Sequence, residues 1–181
     1  MTAPPISECA LRDALAQFAS GVTVVTAQTP AGPVGFTASA FTSVSLAPPL
    51  VLVCVRKGAS AHDAVVAAEA FGVNVLSERQ KWIAEQFARS GVDRFRQVRV
   101  RAAGEGEGLP LVEGAIVHLE CRHHVAYPAG DHTILVGEVT RASVAAGRPL
   151  VHHARRFGGF FAENASRAGA VAAGAPQGGE A

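Results

Sequence analysis

Strand-like segments follow one another along this chain through turns, without a regular helix between them. The β-branched run 22–27 and the segment 34–38 flank T-P-A-G-P, which predicts a hairpin. Two longer strands, 115–125 and 133–144, are joined through Y-P-A-G-D-H, whose proline and glycine mark a turn. About seven strands, counting the run 71–76, against three short helices predict a mostly β protein, a closed antiparallel barrel with peripheral helices.

The stretch from Gly35 to Val55 holds two strand-like runs separated by Pro48-Pro49. In the first run, small apolar residues alternate with Ser and Thr, so one face can pack while hydroxyls line the other. The second run, 50–55, lacks polar residues and is predicted to be buried on both faces. Such a pair would make a wall for a ligand that is apolar at one end and polar at the other. An ordinary barrel strand with a solvated face fits the same pattern.

Three helices are predicted from their N-terminal signals. Ser60 begins one, and Ser77 with Gln80 gives the capping-box signature of another. The first helix follows Ser7 and should stop near Gly21, packing on the barrel through an apolar stripe. That stripe consists of Leu11, Leu15 and Phe18.

Residues 96–114 are polar and glycine-rich, and we interpret them as a connection. Their glycines do not fit G-x-G-x-x-G, and no helix pattern follows, so a dinucleotide fingerprint is rejected. Beyond these elements we predict one domain, 7–165, followed by a disordered Ala/Gly-rich tail at 166–181.

Composition narrows the classes of partner. The 181 residues carry a formal net charge of +1, so no excess of basic charge points to nucleic acid or an anionic membrane. The start MTAPPISE lacks a leader pattern and no apolar run reaches the length of a membrane span, which predicts a soluble protein. Three widely separated cysteines argue against a disulfide framework or structural zinc, so a cytoplasmic location is expected.

Two kinds of catalytic site find little support. Adjacent histidines, as at 123–124 and 152–153, point to opposite faces of a strand and cannot chelate one ion, so no metal site is predicted. Cys54 lies in an apolar run, where burial raises the thiol pKa and makes it inert. A G-x-S-x-G elbow is also missing from the sequence.

A phosphorylated aromatic ligand fits three features: the hydroxyl-rich edge 37–45, the helix start at Ser60, and Arg94. Arg94 could bind a phosphate with Asp93 holding its guanidinium, or the two could form a surface ion pair. His132, after a glycine turn, could face a ligand or only stabilise the turn by bonding to Asp131.

The ordered blocks of the chain resemble the flavin reductase family, the NAD(P)H:flavin oxidoreductases of two-component monooxygenases. The resemblance covers most of the sequence, and its blocks are LRDALAQFASGVTVVT, GFTASAFTSVSLAPPLVLVCV, FGVNVL, the DRF segment, LEC and GDHTILVGEV. It implies an FMN-binding split barrel, an antiparallel Greek-key barrel, in a homodimer with flavin in clefts at the interface. It also implies FMN or FAD and NADH or NADPH as cofactors, and a flavin-dependent monooxygenase as partner.

The resemblance also assigns residues, position by position. Those assigned to the flavin are Thr37, Ala38, Ser39, Ala40, Phe41, Ser43, Val53, Cys54, Val55, Ser60, Phe87 and Arg94. His132 matches the histidine near the nicotinamide and is the one catalytic assignment. His152, Arg155 and Phe157 are also assigned to the nicotinamide, at places where the family commonly has aromatic and glycine residues. The expected reaction is hydride transfer from nicotinamide to flavin. The alternative is a flavin-binding module or carrier on the same fold without reductase turnover.

Overall fold

The computed structural model describes residues 5–103 and 108–161, and in these ranges the protein is mostly β. The strands are β1 (Ser20–Gly21), β2 (Thr23–Thr29), β3 (Gly32–Ala38), β4 (Phe41–Leu46), β5 (Pro49–Arg56), β6 (Ala70–Val75), β7 (Val100–Ala103), β8 (Leu109–Val112), β9 (Val117–Ala129), β10 (His132–Val144), β11 (Leu150–His153) and β12 (Arg156–Gly159). The α-helices are α1 (Glu8–Leu15), α2 (His62–Ala67) and α3 (Lys81–Ala88), and a 3-10 helix, Glu78–Gln80, precedes α3.

Seven strands form one sheet in the order β3-β2-β6-β9-β10-β5-β4, and every pairing in it is antiparallel. β3 and β4 are the edges of this sheet, yet only Ser39 and Ala40 separate them along the chain. Because such a link spans only about 10 Å, the two edges must lie close together. The N–H of Cys54 on β5 donates to the carbonyl of Ala40 in this link at 3.0 Å, which continues the pairing of β4 with β5. The sheet is therefore curled into a barrel, which confirms the predicted antiparallel barrel.

The core has two parts, one on each side of β2. Val25 belongs to the cluster inside the barrel, together with Phe71 and Leu135. Its neighbour Val24 belongs to a second cluster that includes Ile83 and Phe87 of α3. Successive strand residues point to opposite faces, so β2 is buried on both sides because α3 covers its outer face. This covering holds α3 against β2 and β3, where Phe87 and Ala88 form part of the site described below.

The segment predicted as a polar connection contains a hairpin. β7 and β8 pair from Val100↔Val112 to Ala103↔Leu109. Leu111 and Val112 are fully buried, so the prediction of a connection for 96–114 is wrong in this part. The side chain of Asn74 on β6 accepts from the N–H of Val112 at 2.8 Å, which ties the hairpin to the barrel. The short apolar run LPLV was the overlooked signal.

The helix starts were predicted more accurately than their packing. The Ser7 hydroxyl accepts from the N–H of Ala10 at 3.2 Å, and the capping box of Ser77 and Gln80 is present. α1 ends at Leu15 rather than near Gly21, and it buries no residue. The stripe that should pack on the barrel is exposed: Leu11 by 42%, Leu15 by 63% and Phe18, just beyond the helix, by 76%. The prediction that this stripe packs on the barrel is wrong for the single chain.

Two further elements differ from expectation. α2 begins after Ala61 and has no side-chain cap, so the prediction that Ser60 caps it is wrong. Near the C-terminus, β11 and β12 form a hairpin that pairs with β1, and none of these three strands was among those predicted from the sequence. The predicted tail at 166–181 lies outside the described residues. Within the described ranges, no helix combines the length and apolar character that crossing a bilayer needs.

Candidate functional site

Strand β5 presents alternate residues to the core and to an open cleft. The side chains of Val53 and Val55 are fully buried in the barrel core. The intervening Leu52 and Cys54 are half-buried and line the cleft instead. The expectation that this run is buried on both faces is wrong, because its outer face is left uncovered in the single chain. Side chains of Val53 and Val55 therefore cannot meet a ligand, and only their backbone remains available to one.

The cleft begins at the junction between β3 and β4. Ser39 and Ala40 are both exposed there, because the chain leaves one sheet edge and enters the other. These two residues and Cys54 line two adjoining cavities. Since the cavities share this wall, we describe them as two halves of one cleft.

The apolar half of the cleft is a cavity of about 610 Å³. Leu15 and Phe18 contribute from the region of α1, and Phe41 and Leu52 from the two strands beneath. The exposed apolar side chains of α1 thus overhang this half. Its lining also includes Arg12, Ala16, Ser20, Thr42, His152 and Arg155. A flat, largely apolar ring system suits walls of this kind.

The cationic half is a cavity of about 340 Å³ on the other side of the shared wall. Arg56, Arg94 and His132 line it, and its lining contains neither Asp nor Glu. The remaining residues are Phe36, Thr37, Ala38, Ala59, Phe87, Ala88 and Ser90. Two guanidinium groups in a pocket without a carboxylate favour an anionic ligand, because each can give bidentate hydrogen bonds to phosphate oxygens.

Arg94 is held by backbone carbonyls rather than by an acid. Its Nε donates to the carbonyl of Arg89 at 2.9 Å, and its Nη1 donates to that of Gly35 at 3.0 Å. Partial burial lowers the pKa of Arg94, but a guanidinium remains charged at neutral pH. Asp93 instead accepts from the N–H of Phe95 at 3.0 Å. Neither the predicted Asp93 clamp nor the alternative ion pair is present among the described residues, so both were wrong.

Ser60 meets Arg94 in a small neighbouring cavity of about 250 Å³. Arg94 lines this cavity as well as the cationic half, so the two cavities share this residue. The sequence placed Ser60 near Arg94 as a second phosphate contact. The structure brings the two residues together, although not through a cap on α2.

His132 combines the two roles that the sequence left open. Its Nδ1 lies 2.8 Å from Oδ1 of Asp131, which stabilises the turn and lowers the pKa of that carboxyl. The side chain of His132 is also 41% exposed and lines the cationic half. The bond to Asp131 fixes the ring and leaves Nε2 outside that pair. A histidine so held can orient a ligand.

The other residues assigned from the family resemblance lie in different parts of the structure, and only some of them line the cleft. The Thr37 hydroxyl donates to the carbonyl of Ala84 at 2.7 Å, so it fastens α3 while its residue lines the cleft. Phe87 is fully buried and forms the back wall. Ser43 is exposed on β4 and lines neither half. Phe157 lines neither half, but its ring lies 5.3 Å from that of His152.

The residues assigned to the nicotinamide are not in one cavity. His132 lies in the cationic half, whereas His152 and Arg155 line the apolar half. Arg155 also forms an ion pair with Asp13 of α1. This ion pair and the bond from the N–H of Ala154 to the carbonyl of Ala16 at 2.7 Å attach the end of α1 to the β11–β12 turn.

Sequence reasoning missed several residues of the cleft. Arg56 was overlooked, although a charged residue at the end of an apolar strand is a signal for a barrel mouth. Register places Arg56 opposite His132 on β10. Ser90, Leu52 and the α1 side chains were also missed, and their signal is weak because only the closure of the barrel brings them together. No cluster of three His, Cys, Asp or Glu side chains that could hold a metal occurs among the described residues.

The chain matches the flavin reductase like domain over residues 15–160. It belongs to this family. It is 45% identical over 149 residues to an FMN reductase (NADH) of Agrobacterium fabrum, covering 82% of this chain and 84% of the relative. It is 38% identical over 156 residues to the reductase component of a 4-nitrophenol monooxygenase of Rhodococcus opacus, covering 86% of this chain and 83% of the relative.

A solved structure agrees in fold over nearly the whole flavin reductase. The NADH:FAD oxidoreductase of Streptomyces globisporus, in complex with NAD and FAD fragments, superposes with a TM-score of 0.81 at 42% identity. The match covers 90% of this chain and 99% of that one. The resemblance stated from the sequence and the predicted split-barrel fold class are thereby confirmed.

Cys54 provides a chemical test of where flavin binds. Burial raises the pKa of Cys54, and it raises that of Cys121 to about 12, whereas Cys9 is exposed. We expect iodoacetamide to modify Cys9 first, Cys54 slowly and Cys121 only after unfolding, because the thiolate is the nucleophile. FMN should slow alkylation of Cys54 several-fold and leave that of Cys9 unchanged, as measured by peptide mass spectrometry. Equal rates at Cys54 with and without FMN would place the flavin elsewhere.

Proposed function

We propose that this flavin reductase uses NADH to reduce FMN or FAD and releases reduced flavin to a partner monooxygenase. The observation that carries the proposal is the cleft, in which an apolar half and a cationic half meet at Ser39, Ala40 and Cys54. A flavin has the same division, since its ring system is largely apolar and its tail ends in phosphate. The prediction of an NAD(P)H:flavin oxidoreductase is confirmed by the family and its NADH-dependent members.

The residues that line the cleft can contact both parts of a flavin, its ring system and its phosphate. Phe41, Leu52 and the exposed backbone at 39–40 offer a surface for the ring. Arg94, fixed by two carbonyls, is already oriented when a phosphate arrives, so little side-chain entropy is lost on binding. Ser90 lies in the same half and can add a hydroxyl donor.

For this reaction the main task of the protein is to position the flavin and the nicotinamide. Flavin and NADH, when bound in the cleft, would supply the chemistry themselves: a hydride would pass from the nicotinamide, which is oxidised, to the flavin, which is reduced. The chain contributes orientation and exclusion of water, which lower the barrier by holding the reacting rings close together. His132, held by Asp131, orients the nicotinamide or offsets the negative charge of the reduced product.

His132→Ala is expected to raise the KM for NADH several-fold while changing flavin affinity little, because the role proposed for the imidazole is to orient the nucleotide rather than to hold the flavin. Steady-state oxidation of NADH at saturating FMN measures the KM, and fluorescence quenching of FMN measures its affinity. His124→Ala is the matched control, since His124 is exposed on β9 and lies outside the cleft lining. Unchanged NADH kinetics in His132→Ala would remove His132 from the site.

Flavin-dependent oxidation of NADH by the purified chain tests the proposed function. The loss of NADH absorbance is followed with FMN, with FAD and without flavin, in the presence and absence of a flavin-dependent monooxygenase with its substrate. Oxidation that requires flavin supports the reductase. Tight flavin binding without NADH oxidation would replace it by the flavin-binding module considered from the sequence.

A homodimer also belongs to this proposal. Apolar side chains are exposed around the cleft and along the neighbouring strands: Leu46 by 93%, Val144 by 80% and Phe18 by 76%. A second copy that covers these side chains would also complete the apolar half, and a stable interface needs about 800 Å² per partner. Light scattering should give twice the chain mass of 18.6 kDa, and Leu46→Glu should shift the mass toward the monomer. A monomeric wild type at micromolar concentration would contradict this part.

A further inference from the structure

Helix α1 overhangs the apolar half of the cleft, yet it buries no residue of its own. We propose that Asp13 is a positioning residue, whose ion pair with Arg155 holds the end of α1 over this half so that the nicotinamide stacks on the flavin. Asp13 lines neither half of the cleft, so it acts through α1 rather than by touching a ligand. This inference rests on the proposed function, because it concerns the stacking of the two rings in the same cleft.

The attachment of α1 to the rest of the protein is slight. Two polar contacts join residues 5–18 to the remainder of the described chain. One is the ion pair between Asp13 and Arg155, and the other is the bond from the N–H of Ala154 to the carbonyl of Ala16. A helix of only eight residues, such as α1, is marginal in water without tertiary contacts. These two contacts therefore provide most of the attachment of α1 in the single chain.

The local preferences of α1 do not explain an aspartate at position 13. Asp13 lies in the last turn of α1, where the negative end of the helix dipole disfavours a carboxylate. Aspartate is also among the weaker helix formers. Within α1 it accepts a weak hydrogen bond from the thiol of Cys9 at 3.7 Å. The ion pair with Arg155 is the contact that offsets these local costs.

The turn between β11 and β12 is strained where it meets α1. His153 pairs with Arg156, so Ala154 and Arg155 form a two-residue turn. Their φ angles are 48° and 61°, in the left-handed region where glycine, asparagine and aspartate are usual. Such a conformation persists where surrounding contacts determine it, and it is often found at functional sites. Here both turn residues bond to α1, one through its N–H and the other through its guanidinium.

The position of α1 sets the room available to two stacked rings. Phe41 and Leu52 lie beneath the apolar half, whereas Leu15 and Phe18 overhang it. In the proposed complex the flavin is also anchored by its phosphate in the cationic half, which α1 does not line. The nicotinamide would lie between the flavin ring and α1. Because a gap of about 0.5–1 Å forfeits roughly a quarter to a half of a dispersion contact, a small shift of α1 weakens nicotinamide stacking first.

Asp13→Ala gives opposite results for a local and a positioning role. Alanine is the better helix former, so without the tertiary role the amides of α1 would exchange more slowly. We expect faster hydrogen exchange at Leu11 and Ala16, with the barrel strands unchanged. Glu113→Ala is the matched control, because it breaks the exposed ion pair with Arg99 outside the cleft lining.

The kinetics of Asp13→Ala should show the same role. We expect the KM for NADH to rise about three- to fivefold, a range limited because both side chains of the ion pair are exposed, by 63% and 58%. The kcat should stay within about twofold, since saturating NADH fills the cleft and holds α1 in place. The dissociation constant of FMN should also stay within about twofold, because the phosphate is bound elsewhere.

Exchanging the two charges provides the rescue. The double variant Asp13→Arg with Arg155→Asp keeps an ion pair in reversed order, and aspartate tolerates the left-handed conformation at position 155. This variant should recover most of the KM. The KM ratio of Asp13→Ala to wild type should also fall toward one at high ionic strength, because salt screens an exposed ion pair.

Three results would overturn the proposal. The first is an unchanged KM for NADH in Asp13→Ala, with or without faster exchange in α1. The second is an equal loss of FMN affinity, and the third is a raised KM that the exchanged charges do not restore, which would give Arg155 a direct contact with the nucleotide. In each case wild type still oxidises NADH when flavin is present. Absence of that oxidation would instead overturn the proposed function, while hydrogen exchange in α1 would still report on the ion pair.

Discussion

Arg94→Ala is expected to weaken FMN binding by about 1–3 kcal/mol, which raises the dissociation constant roughly 5- to 150-fold. Arg94 lines two cavities and its guanidinium is fixed by the carbonyls of Gly35 and Arg89, so a phosphate bound there would meet it without reorganisation. Its partial burial strengthens a charged hydrogen bond relative to one in water. Titration calorimetry with FMN on wild type and variant measures the change.

Riboflavin separates a phosphate contact from a structural effect. Removing Arg94 also leaves the two carbonyls without their donor, which can loosen the segment after α3 and reduce affinity for every flavin. Such loosening would affect riboflavin as much as FMN, whereas loss of a phosphate contact affects FMN alone. The FMN-to-riboflavin affinity ratio should therefore fall toward one in Arg94→Ala. If wild type binds riboflavin and FMN equally well, no phosphate contact exists and the prediction is wrong.

The fold could be predicted from sequence to the extent that local signals determine it. The hairpin of β2 and β3 follows from β-branched residues on both sides of a proline-glycine turn, and the capping box of Ser77 and Gln80 needs only residues three apart. The β7–β8 hairpin was missed because its strands are short and its glycine-rich setting reads as a loop. Whether these two segments form strands depends on their burial against β2 and β6, which are distant in sequence.

The site was predicted less completely than the fold. Its residues depend on which side chains of a strand face outward and on which distant segments meet when the barrel closes. An apolar run such as 50–55 gives no alternation from which to tell Val53, in the core, from Cys54, in the cleft. Arg56 and Arg94 are 38 positions apart, and only the tertiary fold places them in one cavity. The exposed stripe of α1 was expected to pack inward because sequence periodicity reveals an apolar face but not what covers it.

Asn74→Ala is expected to lower the free energy of unfolding by about 2–5 kcal/mol, a large share of the 5–15 kcal/mol usual for a domain. Asn74 is fully buried. Its Nδ2 donates to the carbonyl of Val24 at 2.9 Å and to the Thr26 hydroxyl at 3.3 Å, and its Oδ1 accepts from the N–H of Val112. Alanine replaces none of these bonds, so buried groups are left without partners. Urea denaturation of wild type and Asn74→Ala measures this difference in the free energy of unfolding.

The loss of stability in Asn74→Ala should begin at the β7–β8 hairpin, since Asn74 joins this hairpin to the barrel. Hydrogen exchange in Asn74→Ala should speed up first at Val112 and its strand, before the amides of the barrel core, because the hairpin loses its anchor on β6.

Thr140→Ala is the matched control. The Thr140 hydroxyl also donates to a carbonyl, that of Glu120 at 3.0 Å, but the residue is exposed, so water can replace the bond and the change should stay within about 0.5 kcal/mol. A loss in Asn74→Ala no larger than that of Thr140→Ala would mean that the hairpin is held by apolar packing of Leu111 and Val112 alone.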